Sequence, residues 1–379
     1  MTALLQSSTM HRSYTVRLKP TRKQREWLEA MLEECRELYN AALGERKSAW
    51  EVCRKTISYY DQQSELVDLR RLSAESSSLP SAIQRDPLRR VDRAFKAFFR
   101  RIKHGEKPGY PRFRSRSRYD SFAVDGSSFD MKPDGILRVV GLGCIRFKTR
   151  CHLRGATKEL RIRRYGTHWN ASVVCDIGPA PEKIAVRNAV GIDLGLTTLA
   201  TLSDGTEIEN PRWTKREEER LAEANRMLAR KKRGSRNRAK ARERLRRAHQ
   251  RIAGLRSSYL CAVAKYLVQN YDLIAHEDLK IRNMVRSNLA KSITDAAWNQ
   301  LIWRIRCEAE YAGKWVIPVN PRGTTQLCSG CGERVPKGLA QRQHDCPNCG
   351  LSLGRDLNAA LNILKLRLGE SLVEVLQNV

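Results

Sequence analysis

The chain has 379 residues, enough for two or three domains that each bury a core. It carries 71 Lys and Arg against 41 Asp and Glu, a formal net charge of +30, and such self-repulsion favours a polyanionic partner, nucleic acid above all. No apolar stretch approaches the roughly 20 residues that span a bilayer, and the N-terminus has no signal-peptide pattern, so we expect an intracellular, soluble protein without a membrane segment.

The first predicted elements are a short strand and a helix. Residues Tyr14 to Lys19 alternate in polarity as a strand does, and Thr21 is a candidate N-cap for the helix that follows. Apolar residues recur in that helix at helical spacing and are most simply core: Leu28, Met31, Leu32, Cys35, Leu38, Tyr39 and Ala42.

A second predicted helix follows a Ser-rich break at Glu75 to Ser78. Its charge run continues into residues 103–116, where aromatic residues alternate with arginines. A solvated basic face is the usual interpretation of such a run, but the interleaving favours phosphate contact with base stacking. The apolar face contains Val91, Phe95, Phe98, Phe99 and Ile102, and the basic face Arg89, Arg90, Arg93, Lys96, Arg100 and Arg101.

Residues 121–176 show the alternation of short strands separated by Gly, Asp and Pro turns, which predicts a small antiparallel barrel or sheet. The predicted strands are Ile136–Val140, Cys144–Lys148, Glu159–Arg164 and Trp169–Cys175. The segment Gly178-Pro179-Ala180-Pro181 then marks a boundary.

The second half begins with two predicted strands, Ala189 to Leu194 and Thr198 to Ser203. A long helical region follows from Trp213 to Gln269, with a break near Gly234. Between Arg226 and Arg251 it has thirteen Lys and Arg and one acid, which favours a nucleic-acid track over a solvated helix of mixed charge. The last predicted elements are the strand Tyr271–Ala275, the helix Ile293–Tyr311 with Trp298, Leu301, Ile302, Ile305 and Ala309 inward, and the strand Trp315–Val319.

Four cysteines form the most specific motif of the chain. Cys328 and Cys331 are separated by fourteen residues from Cys346 and Cys349, a spacing that lets four thiolates surround one tetrahedral zinc ion. A Gly after each pair gives room for the tight turn. We predict a closed, structural zinc ribbon; two redox pairs are the alternative. His344 is interpreted as a surface residue, and we expect ordinary buried thiols at Cys35, Cys53, Cys144, Cys151, Cys175, Cys261 and Cys307.

Three acids are candidates for a metal-dependent nuclease centre, namely Asp193, Glu277 and Asp356. Each lies at the edge of an apolar run in a strongly basic chain. Carboxylates suit Mg²⁺, and two such ions about 4 Å apart can clamp the attacking and leaving oxygens of a phosphodiester. Two alternatives stay open: Asp278 as ligand in place of Glu277, and Asp356 as a helix N-cap.

A competing enzyme class is suggested by Gly191-Ile192-Asp193-Leu194-Gly195 with Thr197-Thr198. This segment resembles the first phosphate motif of actin-like and chaperone ATPases. A second phosphate motif is missing, and the zinc ribbon and the charge argue against this class.

The order of the motifs resembles the TnpB family, the compact RNA-guided nucleases of insertion sequences that are related to type V CRISPR effectors. The resemblance covers nearly the whole chain. Its C-terminal part is highly specific and rests on the Asp-Leu-Gly segment, the Arg-rich helical insertion, His276-Glu277-Asp278-Leu279, Thr324-Thr325-Gln326-Leu327, the two cysteine pairs and Arg355-Asp356-Leu357-Asn358-Ala359-Ala360-Leu361-Asn362-Ile363-Leu364. Its N-terminal part rests on Tyr39-Asn40, Phe98-Phe99-Arg100-Arg101 and Lys107-Pro108-Gly109-Tyr110-Pro111-Arg112-Phe113.

The resemblance implies a multidomain α+β protein. An N-terminal wedge β-barrel (1–20 and 105–182) would carry a helical recognition insertion (21–104). An RNase H-like (RuvC) α/β nuclease domain (183–325 and 351–379) would then be interrupted by an arginine-rich helical segment (213–269) and by a four-cysteine zinc ribbon (326–350).

The resemblance also implies a function. A guide RNA from the transposon end would pair with one strand of double-stranded target DNA beside a short target-adjacent motif, and one site would cut both strands. Asp193, Glu277 and Asp356 would be the catalytic acids that bind Mg²⁺, with Mn²⁺ as an alternative. Family members commonly have a further acid where this chain has Gly354.

The remaining expectations concern partners and alternatives. We predict five residues that contact RNA. We expect the protein to act as a monomer in complex with RNA. We also expect it to lie in the cytoplasm of a prokaryote and to associate with the nucleoid through DNA. The alternatives are an RNA-guided repressor that binds without cutting and a generic zinc-ribbon nucleic-acid-binding protein. The nominated residues are Arg112, Arg114, Lys231, Lys232 and Arg236.

Overall fold

A computed structural model describes residues 9–72, 80–148, 153–284, 288–338 and 341–368. The chain divides into two compact units, Met1–Pro179 and Ala180–Val379. This division lies inside the Gly178 to Pro181 segment. The predicted Ser-rich break at 75–78 and Cys151 lie outside the described residues. Within the described ranges, no helix combines the length and apolar character needed to cross a bilayer.

The first unit is built on a seven-stranded antiparallel sheet, in the order β2-β6-β7-β1-β5-β4-β3. Alternate residues point into one core, and Trp169, Phe122 and Leu160 are fully buried there. The edge strands β2 and β3 do not pair with each other in the described part, so closure into a barrel stays a prediction. The strands are β1 (Thr9–Lys19), β2 (Ser121–Asp125), β3 (Phe129–Lys132), β4 (Ile136–Val139), β5 (Gly143–Lys148), β6 (Ala156–Tyr165) and β7 (His168–Pro179).

The first unit also has three helices, α1 (Arg22–Cys53), α2 (Tyr59–Leu72) and α3 (Ser81–Lys103). Helices α1 and α3 pack against β2 of the sheet, and α2 packs against α3. Thr21 caps α1 as predicted, because its hydroxyl accepts from the Gln24 amide while the Gln24 side chain accepts from the Thr21 amide. The predicted apolar stripe of α1 is buried, except that Leu38 is half-buried. Helix α2 was not predicted, since its charged sequence shows little periodicity.

The apolar face of α3 is buried at Val91 and exposed near the end of the helix, where the exposed fractions of Phe99 and Ile102 are 59% and 49%. One expectation for the first unit is wrong. Among the single cysteines, Cys53 and Cys144 are exposed instead of buried. Cys53 is the last residue of α1, and Cys144 lies on the outward face of β5, so neither position faces the core.

The second unit contains a five-stranded sheet in the order β10-β9-β8-β11-β12. Strands β8 and β9 form an antiparallel hairpin with β10 beside it, whereas β11 runs parallel to both β8 and β12. The central strands β8 and β11 are buried over almost their whole length, as expected for strands that are covered on both faces. The strands are β8 (Ala189–Leu194), β9 (Thr198–Leu202), β10 (Glu207–Glu209), β11 (Leu273–Glu277) and β12 (Trp315–Val319).

Helices of the second unit cover this sheet. The predicted basic helical region is α4 (Trp213–Arg216), α5 (Glu218–Ala229) and α6 (Arg236–Asn270), and it is followed by α7 (Ile281–Met284), α8 (Ala290–Ala296) and α9 (Trp298–Tyr311). The single helix predicted from Ile293 is therefore two helices. They separate at Ala297, whose φ of 55° is left-handed, and this turn lets the indole N–H of Trp298 donate to the Gly195 carbonyl at 3.2 Å.

The C-terminal part consists of a small hairpin and a helix. Strands β13 (Gln343–Asp345) and β14 (Ser352–Gly354) pair antiparallel, and α10 (Arg355–Leu368) begins directly after β14. Helix α10 packs on β8, where a Cβ at Gly191 would lie 2.1 Å from the Ala360 carbonyl oxygen. The first Gly of the Gly-Ile-Asp-Leu-Gly segment is therefore required by close packing.

Candidate functional site

Two of the predicted acids lie on neighbouring parallel strands in the same register. Ile192 of β8 pairs with His276 of β11, and Asp193 and Glu277 each follow directly. Both acids thus lie at the carboxyl ends of their strands, where open α/β sheets place ligands. Asp193 is 8% exposed, and the Glu277 side chain is half-buried.

Burial and like charge act together on Asp193. Its burial, reinforced by the nearby carboxylates of Glu277 and Asp356, raises its pKa to about 7 against the opposing influence of Arg355. Burial also raises the pKa of Glu277, and the hydrogen bond from Thr324 partly offsets this effect. Such a group of acids is costly without a cation, and perturbed carboxyl groups of this kind concentrate at functional sites.

The third acid, Asp356, enters this electrostatic group from α10. It lies in the first turn of the helix, after Arg355, and so the N-cap alternative is wrong. Its Oδ1 accepts from Nε and Nη2 of Arg355 at 3.1 and 3.0 Å, and Nη1 of Arg342 lies 3.8 Å from Oδ2. Neither arginine was predicted as a site residue from the sequence. Arg342 lies outside every motif, and Arg355 was noted only as part of the family motif.

Glu277 and Asp278 differ in environment. The Glu277 side chain is held by a hydrogen bond from the Thr324 hydroxyl, whereas Asp278 is exposed beyond the end of β11. On the opposite side of the strand, the His276 ring is buried and contacts Arg306, with 3.2 Å between Nε2 and Nη2. These positions favour Glu277 over Asp278 as the candidate metal ligand.

The four cysteines form a tight cluster that can hold a metal ion. Their sulfur atoms all lie within 4.8 Å of one another, and this is the sole such group of potential ligands in the described ranges. The two pairs form equivalent turns, in which the Gly332 amide donates to the Cys328 carbonyl and the Gly350 amide to the Cys346 carbonyl. Both glycines have φ above 70°, as the predicted tight turns require.

His344 is fully buried, and its interpretation as a surface residue is wrong. It belongs to the inward register of β13, and its Nδ1 contacts the Lys337 ammonium group. The alternation of β13 could have indicated this, but three residues are too few for a clear period.

All five nominated nucleic-acid contacts are exposed. Lys231, Lys232 and Arg236 surround the turn between α5 and α6. Arg238 fixes this turn, because its Nη1 donates to the carbonyls of Leu228 and Lys231 at 3.0 and 2.8 Å. The turn thus presents exposed cations on a rigid backbone.

Arg112 and Arg114 belong to the loop 105–120 of the first unit. The side-chain amide of Asn40 in α1 clamps this loop, accepting from the Arg114 amide at 2.8 Å and donating to the Arg114 carbonyl at 3.0 Å. Tyr110 packs edge-on against Phe95 and Phe98 of α3. The cationic side chains therefore project from a loop with a fixed conformation.

Comparison with protein families gives three matches. Residues 172–288 match the OrfB_IS605 model, described as "Probable transposase", and residues 298–363 match the "Cas12f1-like, TNB domain" model. Residues 10–55 match a model described as a helix-turn-helix domain. In this chain those residues form β1 and the single long helix α1.

Individual relatives match along nearly the whole chain. A Streptomyces pristinaespiralis protein described as "Putative RNA-guided DNA endonuclease" is 33% identical over 372 residues, which are 95% of this chain and 90% of the relative. A protein of the same description from Escherichia coli K12 is 28% identical over 93% of this chain and 91% of the relative.

Two solved structures share the fold. One is titled as a cryo-EM structure of a Cas12f1-sgRNA-target DNA complex and has a TM-score of 0.56 at 12% identity, covering 94% of this chain and 98% of that one. The other is titled as the mini-RNA-guided endonuclease CRISPR-Cas_phi3, with a TM-score of 0.54 at 10% identity, covering 94% of this chain and 92% of that one.

Proposed function

We propose that this chain, which belongs to the TnpB family, is an RNA-guided DNA endonuclease. It binds a guide RNA and cuts double-stranded target DNA that pairs with the guide beside a short target-adjacent motif. The observation that carries the proposal is the register of Asp193 and Glu277 at the ends of two neighbouring parallel strands, with Asp356 close enough to raise the Asp193 pKa.

The three acids fit a divalent metal site. Their oxygens are hard ligands of the type that Mg²⁺ and Mn²⁺ prefer, and a cation would relieve the repulsion that raises the Asp193 pKa. When bound, two such ions supply an activated water molecule and stabilise the charge that develops on the phosphodiester. Within the protein, Asp193 and Glu277 hold the site from the sheet, Asp356 holds it from α10, and Arg355 adds positive charge.

The four cysteines fit structural zinc. A tetrahedral set of four thiolates leaves no open position for a substrate, so the role of this site is to stabilise the fold. The paired turns around Gly332 and Gly350 give each cysteine pair the same local geometry.

The fold supports finer assignments. The second unit, with an acid on β8 beside an acid on the parallel strand β11, agrees with an RNase H-like (RuvC) nuclease domain. It contains the basic helical region 213–269 and the zinc ribbon 326–350. In the first unit, the seven-stranded sheet corresponds to the wedge barrel, and helices α1, α2 and α3 to the recognition insertion.

The strongly positive charge of the chain agrees with the role of the protein in RNA-guided recognition. Base pairing carries the sequence information, while the protein supplies cationic surfaces for two phosphate backbones. The clamped loop with Arg112 and Arg114 and the rigid turn with Lys231, Lys232 and Arg236 are the proposed RNA contacts. We propose that one monomer acts with one RNA, on DNA of the nucleoid.

The proposal is tested by purifying the chain with co-expressed RNA from its own gene region and sequencing that RNA. The complex is then incubated with Mg²⁺ and a plasmid library that carries the matching target beside randomised flanks. Linear plasmid enriched for one flanking motif supports the proposal. Guide-dependent binding without cutting would indicate an RNA-guided repressor, and the absence of a defined RNA would favour a generic zinc-ribbon protein.

A further inference from the structure

Residues 323–327 form a short link between the acidic pair and the first cysteine pair. Within this link, Thr324 is 1% exposed. Its hydroxyl oxygen lies 2.5 Å from Oε1 of Glu277 and 3.1 Å from the Pro321 carbonyl oxygen. The single hydroxyl proton goes preferentially to the ionised carboxylate, since charge-assisted hydrogen bonds are the stronger. The link therefore fixes one oxygen of Glu277.

Two buried asparagines of α10 hold the link in place. The Asn362 amide donates to the carbonyls of Thr324 and Leu327, at 2.8 and 2.7 Å. The Asn358 amide donates to the Leu327 carbonyl at 2.7 Å and accepts from the Ser329 N–H at 2.9 Å. Helix α10 also carries Asp356. The same helix therefore supplies one acid of the centre and sets the backbone position of Thr324, which holds Glu277.

The same link continues directly into the first cysteine turn. The Cys328 amide donates to the Glu333 carbonyl, and Lys365 of α10 donates to the Ser329 carbonyl at 2.6 Å. A Cβ at Gly330 would lie 3.4 Å from the sulfur of Cys349, so the two cysteine turns pack closely at this point. The fold of the cysteine cluster and the position of Thr324 are thus joined through a few buried hydrogen bonds.

We propose that Thr324 is a positioning residue for Glu277, and that Asn358 and Asn362 make the geometry of the acidic centre depend on the cysteine cluster. This inference rests on the proposed function and assigns Thr324 no contact with the substrate. Partners that orient a metal-binding side chain typically contribute about 10-fold to 100-fold in metal affinity or activity. Removing the Thr324 hydroxyl is therefore expected to weaken divalent metal binding more than nucleic-acid binding.

The test compares Thr324→Val with two controls in the full chain bound to its RNA. Thr324→Ser keeps the hydroxyl, and Thr325→Val makes the same substitution one residue away, at a half-buried position. Fe²⁺ with ascorbate replaces Mg²⁺, and mass spectrometry measures oxidative backbone scission near Glu277 as the Fe²⁺ concentration is raised. Zinc content and guide-dependent DNA binding are measured on the same samples.

We expect Thr324→Val to raise the Fe²⁺ concentration for half-maximal scission by about 10-fold or more, with zinc content and DNA binding unchanged. Both controls should match the wild type. Equal scission curves for Thr324→Val and wild type would overturn the inference. Because scission does not require DNA cutting, a wild-type complex that binds Fe²⁺ at Glu277 but cuts no DNA would contradict the proposed function alone.

A second variant tests the dependence on the cysteine cluster. Asn362→Leu removes the donor that holds both link carbonyls while keeping a side chain of similar size. It should weaken Fe²⁺-dependent scission near Glu277 even in the fraction that retains zinc. A zinc-loaded Asn362→Leu protein with a wild-type scission curve would show that the cysteine cluster and the acidic centre are independent.

Discussion

Asp193 and Glu277 each follow one member of the same cross-strand pair, Ile192 and His276, on two parallel strands. Equal register places both side chains at the same level of the sheet and on the same face, because alternation along the two strands is in phase. Burial then keeps water from screening their repulsion, which contributes to the raised pKa of Asp193. The proposed nuclease activity of this protein depends on that relationship.

Replacing Glu277 by Gln should abolish DNA cutting. Gln keeps the shape of the side chain and an oxygen that accepts from Thr324, but it removes the negative charge that binds a divalent ion. The rate of DNA cutting should therefore fall by more than the roughly 100-fold that is typical when a residue that only orients a metal ligand is lost. The matched control is Asp278→Asn, since Asp278 is the exposed neighbour. Cleavage assays with a guide-matched plasmid measure both. Loss of cutting in the control and not in Glu277→Gln would reverse the assignment of the two acids.

Stability without added Mg²⁺ should depend on pH through Asp193. Its pKa is raised from 3.8 to about 7, so the folded state holds the proton more tightly than the unfolded state. The contribution of this group to the free energy of unfolding is therefore largest below pH 4 and is lost as the pH rises towards 7.

Asp193→Asn should remove this dependence. Thermal melts should show the variant and wild type equally stable near pH 4, with the variant more stable near pH 8 by up to about 4 kcal/mol. Added Mg²⁺ should stabilise the wild type at pH 8 and not at pH 4. Wild-type stability that rises from pH 4 to 8 relative to Asp193→Asn would contradict the raised pKa.

Cys328→Ser should destabilise the second unit. The substitution removes one thiolate from the proposed four-sulfur zinc site, and a structural metal contributes folding free energy, so zinc content and Tm should both fall. Cys53→Ser is the control, because Cys53 is exposed in the other unit. Metal analysis and thermal melts give the result. Unchanged zinc content in Cys328→Ser would rule out the cluster as the zinc site.

The turn between α5 and α6 should contribute to RNA affinity through charge alone. Changing Lys231, Lys232 and Arg236 to Ala should reduce the slope of log affinity against log salt by about 0.7 for each single-strand phosphate that the variant no longer neutralises. Changing both lysines to Arg keeps the charge and should keep the slope. Filter binding across a salt series measures this, and an unaltered slope in the Ala variant would place the RNA elsewhere.

Asn40→Leu should weaken RNA binding by freeing the loop 105–120. Two hydrogen bonds to the Arg114 backbone would be removed, each contributing about 1 kcal/mol, and ordering the loop would then oppose binding. Asn40→Asp keeps the acceptor and should have an intermediate effect. RNA titrations at fixed salt test this order. Equal affinities for all three proteins would mean that the loop does not bind RNA.

Motif spacing predicted most of the second unit. The cysteine cluster follows from residue spacing, since two pairs of thiolates can meet only if both turns are tight, and Gly332 and Gly350 permit those turns. The strands that carry Asp193 and Glu277 were visible as apolar runs. That both acids share one register was not visible, because register depends on pairing between strands about 80 residues apart.

The features that could not be predicted from the sequence depend on tertiary contacts of individual side chains. Thr324, Asn358 and Asn362 were noticed only as letters of a family pattern, and their hydrogen bonds join segments more than 30 residues apart. His344 was misjudged because a strand of three residues has no measurable period. The break at Ala297 has no local signal, since Ala favours the helix interior and it is the packing of Trp298 that accompanies the turn.

The assignment of Asp193 to an RNA-guided nuclease centre is tested by the cutting of one supercoiled plasmid by the RNA complex in Mg²⁺. Wild type and Asp193→Asn are compared on a target that matches the co-purified guide and on one that does not. Linear product is expected only from wild type on the matched target, with equal guide-dependent binding by both proteins. Cutting of the matched target by Asp193→Asn, or equal cutting of both targets by wild type, would contradict this assignment.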